Sequence, residues 1–250
     1  EHESFLDILP PVDFCCVYGS SLHANNVSKA SMVDCILGVN DPLKWHSENL
    51  KINRDHYASL IVRVGGAQLI TKIADNVGVG VHFSPFISHR DSVFKFGVVG
   101  MHDLIQDMLG WESFYLSGRL QKPVKVILDD MEIKEANSIN LKAAAAAALL
   151  LLPAKFSQEE LYAHICSLSY MGDLRMLFAE DKNKVKKIVG GQFKLLQAMY
   201  HPCLEEFAAR NLLRESSSSM DPKVSMTQDC GTCSTDSLVS YLPVPIRNQL

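Results

Sequence analysis

Tyr18-Gly19-Ser20-Ser21 closes a short apolar run, and Asp34 is the single acid inside the next one, Ser31 to Val39. Together they suit phosphate chemistry. A glycine and small hydroxyl residues in a turn let backbone N–H groups approach phosphate oxygens, and a helix N-terminus favours the same negative charge. An acid on the following strand can hold Mg2+ against those phosphates. Taken alone, a Gly-Ser turn with one acid is more often only a tight turn and a strand-end carboxylate.

Other residues extend the set. Arg119, Lys122 and Lys125 place three cations within seven residues, which reads either as a phosphate site or as a solvated basic face. Asp173 sits between Gly172 and Arg175 and is either a site acid, a partner for Arg175 or a helix cap. Asp129 and Asp130 end a strand and are weaker candidates. His46 and His56 are not at helical ligand spacing, so packed histidines are expected there. Cys230-Gly231-Thr232-Cys233 is a lone C-x-x-C without the second pair that a closed zinc site needs.

The elements around these residues alternate. Val12 to Tyr18 and Ser31 to Val39 read as adjacent strands, residues 42 to 73 as mixed and mainly helical, and Val77 to Phe86 and Ser92 to Val99 as further strands. His102 to Leu109 is an amphipathic helix and Pro123 to Leu128 another strand. Beyond this α+β segment the pattern turns helical. Glu132 to Leu152 runs to Pro153, and Ser157 with Glu160 forms a capping box opening a helix to about Ser169. Lys182 to Leu196 continues as helix, interrupted at Gly190-Gly191. Ser216 to about Ser234 is a polar, low-complexity stretch expected to be a mobile loop. The expected division is 1–130, 131–215 and a flexible loop with C-terminal segment, 216–250.

With 250 residues, 47% hydrophobic and 21% charged, the chain has the composition of a folded protein. A formal charge of −4 argues against a dedicated nucleic-acid binder. The seven cysteines lack the spacing of a disulfide framework and suit a reducing compartment. Ala143 to Leu152 is about half the length that spans a bilayer. Glu1-His2-Glu3 shows neither a secretory n-region nor presequence arginines, so either no targeting segment exists or it lies outside this chain.

Several longer blocks carry a resemblance. Asp41 to Leu50 fits "DP-x-x-WH-x-x-N", His56-Tyr57 the following block, and Ser117 to Lys125 contains "GRLQKPVK". Leu168 to Met176 fits "LSY-x-GD-x-RM", and Glu180-Asp181-Lys182 follows in order. On these the chain resembles the mitochondrial translocator assembly and maintenance family, the matrix-side phosphatidate cytidylyltransferases. The resemblance implies a DNA polymerase beta-like nucleotidyltransferase domain followed by a mainly helical, winged-helix-like domain. It implies CTP and phosphatidic acid as substrates, Mg2+ as cofactor, and peripheral contact with the mitochondrial inner membrane on the matrix side. No nucleic-acid partner is expected. Asp34 would then hold the metal, with Lys122 and Asp173 also catalytic. Tyr18, Gly19, Ser20, Ser21, His46, Arg119, Lys125 and Lys182 would contact the nucleotide. That superfamily usually carries D-x-D on the second strand, whereas Ile36 stands here in the second place; Asp173 is the expected substitute. Two rivals remain: a nucleotidyltransferase with another acceptor, and a non-catalytic factor supporting mitochondrial import.

Overall fold

The computed structural model describes residues 3–19, 22, 32–77, 79–170, 183–215 and 225–249. The chain groups into two compact units, Glu1–Gln106 with Val124–Glu135 and Asp107–Pro123 with Ala136–Leu250. Residues 107–123, expected within the first domain, thus pack with the second.

The first unit is built on a five-stranded mixed sheet. Strands β1 (Phe14–Tyr18) and β2 (Val33–Val39) run antiparallel, with Tyr18 opposite Asp34. β3 (Val81–His89) and β4 (Ser92–Gly100) form an antiparallel pair. β4 lies parallel to β2, with Lys95 opposite Asp34, and β5 (Lys125–Leu128) closes the far edge against β1, giving the order β3-β4-β2-β1-β5. A parallel pair needs a long crossover. Between β2 and β3 the chain supplies α1 (Pro42–Ile52), α2 (Ser59–Val64) and α3 (Gly66–Asn76). Asp41 starts α1 by accepting the Lys44 N–H at 2.9 Å, with Pro42 pre-set for the first turn.

Side chains alternate across a sheet, so one face carries Cys15, Val17, Val33, Cys35, Leu37, Phe94, Phe96 and Val98. These bury together with Phe5 and Trp45 as the core of this unit. Phe5 stacks on Phe94 with centroids 4.2 Å apart. The opposite face carries Tyr18, Asp34 and Lys95 by register.

The second unit is mainly helical. Its elements are α5 (Leu116–Leu120), most of α6 (Met131–Leu151), α7 (Gln158–Leu168), α8 (Lys184–Ala209), α9 (Thr232–Val239) and α10 (Val244–Arg247), preceded by the end of α4 (Met101–Gly110). The expected capping box is present: Ser157 Oγ accepts the Glu160 N–H while the Glu160 carboxylate accepts the Ser157 N–H. Ala144, Ala145, Ala146 and Ala148 are fully buried among Tyr162, Tyr200 and Phe207. The interruption expected at Gly190-Gly191 falls at Gln192, whose φ of −129° breaks the helical run of α8.

The mobile-loop reading of 216–234 is corrected for its described part. Ser225–Gln228 is strand β8, central between β6 (Lys155–Ser157) and β7 (Leu213–Glu215), and α9 begins at Thr232. The Gln228 side chain donates to the carbonyls of Leu149 and Leu152, satisfying the open end of α6.

Candidate nucleotide site

Asp34 lies near the start of β2, beside the turn that ends β1. Gly19 in that turn has φ of +89°, a left-handed conformation that costs little only for glycine. A Cβ built on Gly19 would lie 3.3 Å from Asp34 Oδ2. The backbone at Gly19 therefore approaches the Asp34 carboxylate closely. Tyr18 is buried on the same face. Ser20 and Ser21 lie outside the described residues, as do Asp173 and Lys182.

The sheet adds a residue that sequence reasoning missed. Lys95 Nζ is 3.8 Å from Asp34 Oδ1, both side chains being only partly exposed. Its ammonium also sits 4.9 Å from the Phe83 ring centroid. Gly97 makes this possible: a Cβ there would come within 2.7 Å of Phe83 and Val81 side-chain atoms, so only glycine lets them lie across β4. One signal was present in the sequence, a lone lysine inside an otherwise apolar strand. Ile36 shares the face of Asp34 and gives it no second carboxylate. Among the described residues no group of three or more His, Cys, Asp or Glu is placed to hold a metal.

Two expected nucleotide contacts fall on the other face. Lys125 pairs with Val17, a core-face residue, and is exposed. His46 is buried in α1, where the Tyr57 hydroxyl lies 2.8 Å from its Nδ1. Asn49 Nδ2 donates to Tyr57 Oη at 2.9 Å, Asn53 donates to Asn49 Oδ1, and His82 stacks on Tyr57. Burial, with His82 adding to it, pushes the His46 pKa down to about 3. The imidazole is neutral, and its Nδ1 shares a hydrogen bond with the tyrosine hydroxyl. His46 is a satisfied packing residue, the plainer of its two expected readings.

In the second unit, the block around Arg119 is held by Asp107. That buried carboxylate accepts the N–H groups of Ser113 and Phe114 on Oδ1 and of Leu116 and Ser117 on Oδ2, plus both serine hydroxyls. Asn140 completes the brace, accepting from Trp111 and Gln121 and donating to the Ser117 carbonyl. Lys122 is buried, donating to the Gly118 carbonyl and to Ser169 Oγ with its ammonium 5.1 Å from the Tyr170 ring centroid. Desolvation pushes its pKa down to about 7. Lys122 thus ties α5 to the end of α7. Arg119 is partly exposed over the Tyr115 ring, and Lys184 approaches the other aromatic of the block, Tyr170, at 5.3 Å.

The family model described as "Phosphatidate cytidylyltransferase, mitochondrial" matches residues 2–250. The chain belongs to this family. The human protein of that name is 41% identical over 196 residues, covering 76% of this chain and 43% of the human one. The zebrafish protein (Danio rerio) is 39% identical, covering 78% and 60%, and the Schizosaccharomyces pombe protein 33% identical, covering 94% and 62%. The chain therefore spans roughly half of the length of the first relatives it matches. A nucleotidyltransferase-like protein from Exiguobacterium sibiricum aligns over 92% of this chain and 96% of its own, at 7% identity and a TM-score of 0.30.

Proposed function

We propose that this chain carries the catalytic centre of a phosphatidate cytidylyltransferase, a polymerase beta-like enzyme converting CTP and phosphatidic acid to CDP-diacylglycerol and pyrophosphate at the matrix side of the mitochondrial inner membrane. The observation that carries the reading is the placement of Asp34, partly accessible, against the left-handed Gly19 turn. Family membership supplies the substrates, since the relatives carry that activity in their name.

Mg2+ fits the residues present in a particular way. It binds through one or two carboxylates with phosphate oxygens and water completing its octahedron, and Asp34 offers one. When bound, the ion would neutralise charge on the triphosphate as pyrophosphate leaves. The lipid phosphate oxygen attacks the α-phosphorus and the bond to the β-phosphate bridge breaks. A phosphate monoester is already ionised at neutral pH, so no strong general base is required and orientation with charge stabilisation suffices. The Gly19 backbone would cradle phosphate, Asp34 would fix the metal, and Lys95 would hold Asp34 while adding positive charge to that face. Arg119, partly exposed over the Tyr115 ring, would be the cation that its block offers to a phosphate, and Lys122 would brace that block from within.

The test is pyrophosphate release and lipid product from CTP, phosphatidic acid and Mg2+, with ATP, GTP and UTP as controls. Asp34→Asn should lose at least about a hundredfold in turnover, a loss of charge stabilisation of a few kcal/mol. Its melting temperature should hardly move, because a partly exposed ion pair contributes under about 1 kcal/mol. Full turnover in that variant removes Asp34 from the mechanism. No turnover of any nucleotide by the parent chain favours the non-catalytic rival, for which Ile36 in place of an acid speaks.

A further inference from the structure

Helix α2 has no buried residue, although its sequence is Ser-Leu-Ile-Val-Arg-Val. Leu60 is 73% exposed and Val64 71% exposed, and an i,i+4 pair lies on one face of a helix. Ile52, the last residue of α1, is 65% exposed. None of these side chains joins the core of the first unit. So short a helix draws little from its own propensity; Ile61 and Val62 are half-buried, whereas Leu60 and Val64 stand in solvent. Single exposed apolar residues need no explanation, but two such residues on one face of a short helix, with Ile52 exposed a few residues before them, do.

The charge around α2 has a definite sign. Residues 51–65 include the exposed cations Lys51, Arg54 and Arg63 against one acid, Asp55, in a chain whose formal charge is −4. Burial holds the pKa of His56 below its ordinary value, so it adds no charge near neutral pH. Protein interfaces concentrate aromatic residues and exclude charge from their centre. Here the only aromatic besides His56 is Tyr57, which is turned into the buried network. Exposed aliphatic side chains flanked along the chain by cations instead match the boundary between acyl chains and anionic headgroups.

We propose that α2 and the turn before it form a membrane-contact element, with Leu60 and Val64 entering the acyl region of an anionic bilayer and Lys51, Arg54 and Arg63 at the headgroups. The idea rests on the phospholipid acceptor of the proposed function, and it puts the contact in the same unit as Asp34.

Co-sedimentation of the full chain with vesicles tests it, using phosphatidylcholine alone and phosphatidylcholine mixed with phosphatidylglycerol. Binding should require the anionic lipid and weaken with salt. The double variant Leu60→Glu/Val64→Glu should lose at least about tenfold in vesicle affinity, the loss expected for withdrawing two aliphatic side chains from an apolar phase. Leu60→Trp should show a blue-shifted emission on the anionic vesicles only. Turnover of a short-chain, water-soluble phosphatidate should be the same in the double variant as in the parent. Equal vesicle binding by parent and double variant overturns the proposal, as does failure of the parent to bind. So does a change of oligomeric state in the double variant without a change in vesicle binding, which would make α2 a contact between copies. Vesicle binding without turnover of the soluble substrate would instead sink the proposed activity and leave the membrane element standing.

Discussion

Replacing Asp107 by Asn isolates what one buried carboxylate does for the block that carries Arg119. The carboxylate accepts two backbone N–H groups on each oxygen, at 2.9 to 3.0 Å. An amide has one acceptor oxygen. If its NH2 replaces Oδ1, the N–H groups of Ser113 and Phe114 face a donor; if it replaces Oδ2, those of Leu116 and Ser117 do. Either orientation strands two backbone donors, while the serine hydroxyls can turn to accept. Each stranded buried donor costs about 1–3 kcal/mol, so the substitution should destabilise by roughly 2–6 kcal/mol. At about 2–4 °C per kcal/mol for a chain of this size, the melting temperature should fall by at least about 4 °C. Urea unfolding followed by circular dichroism measures this through the midpoint, with the slope showing whether the unfolded state has changed. A loss under about 1 kcal/mol would mean that the 111–117 segment finds its hydrogen bonds elsewhere, and that the carboxylate is not its brace.

Gly19→Val should cost about 1–2 kcal/mol through its left-handed backbone and displace Asp34, so calorimetric titration should show CTP binding weakened or lost; unchanged affinity would remove the cradle. For His46 the folded pKa, about 3, lies below the ordinary 6.5, so the unfolded chain takes the proton first. Stability should therefore drain away as pH falls below about 6.5, with His56 and His82 acting in the same direction; His46→Gln should flatten the fall in a series of urea titrations. Lys122 has a folded pKa of about 7 against 10.5, so its burial penalty should ease as pH rises from about 7. Lys122→Met should remove that rise between about pH 7 and 8.5, below the range where buried thiols take over; an identical slope in both proteins would place the charge in solvent.

β1 and β2 were legible because each is a short apolar run ended by turn residues, and the helix from Gln158 because Ser157 and Glu160 announce it; β3, with two histidines, two serines and a proline, runs from Val81 to His89 rather than the expected Val77 to Phe86. The three-stranded sheet of the second unit was not. Its strands are three or four residues long, β8 sits in a polar stretch, and Gln228 earns its place only by reaching the end of α6, a contact no local pattern encodes. At the site, Gly19 and Asp34 could be named from the turn and the lone acid. Lys95 stands out as a lone lysine in an apolar strand, but its relation to Asp34 could not be read, because it depends on β4 pairing parallel to β2 across more than forty residues of crossover. For His46 the packed reading of its residues agrees with its burial, while the nucleotide contacts expected of His46 and Lys125 came with the resemblance, and nearness in sequence to Asp34 or Arg119 says nothing about which face of a sheet a side chain lies on. Asp107 gave no warning, being one of two acids on an amphipathic helix.

The distribution of thiols gives this molecule a reporter that needs no engineering. Cys15, Cys16 and Cys35 are buried in the first unit and Cys166 and Cys203 in the second, whereas Cys230 and Cys233 are exposed on or beside α9. Burial raises all five inner thiols, Cys166 to about 11 and Cys203 to about 12, so they resist alkylation while the fold is closed. A brief pulse of iodoacetamide would mark two cysteines at once and the other five only as each unit opens. Peptide mass mapping after increasing pulse times would then read the opening free energies of the sheet and of the helical unit separately, in one native sample.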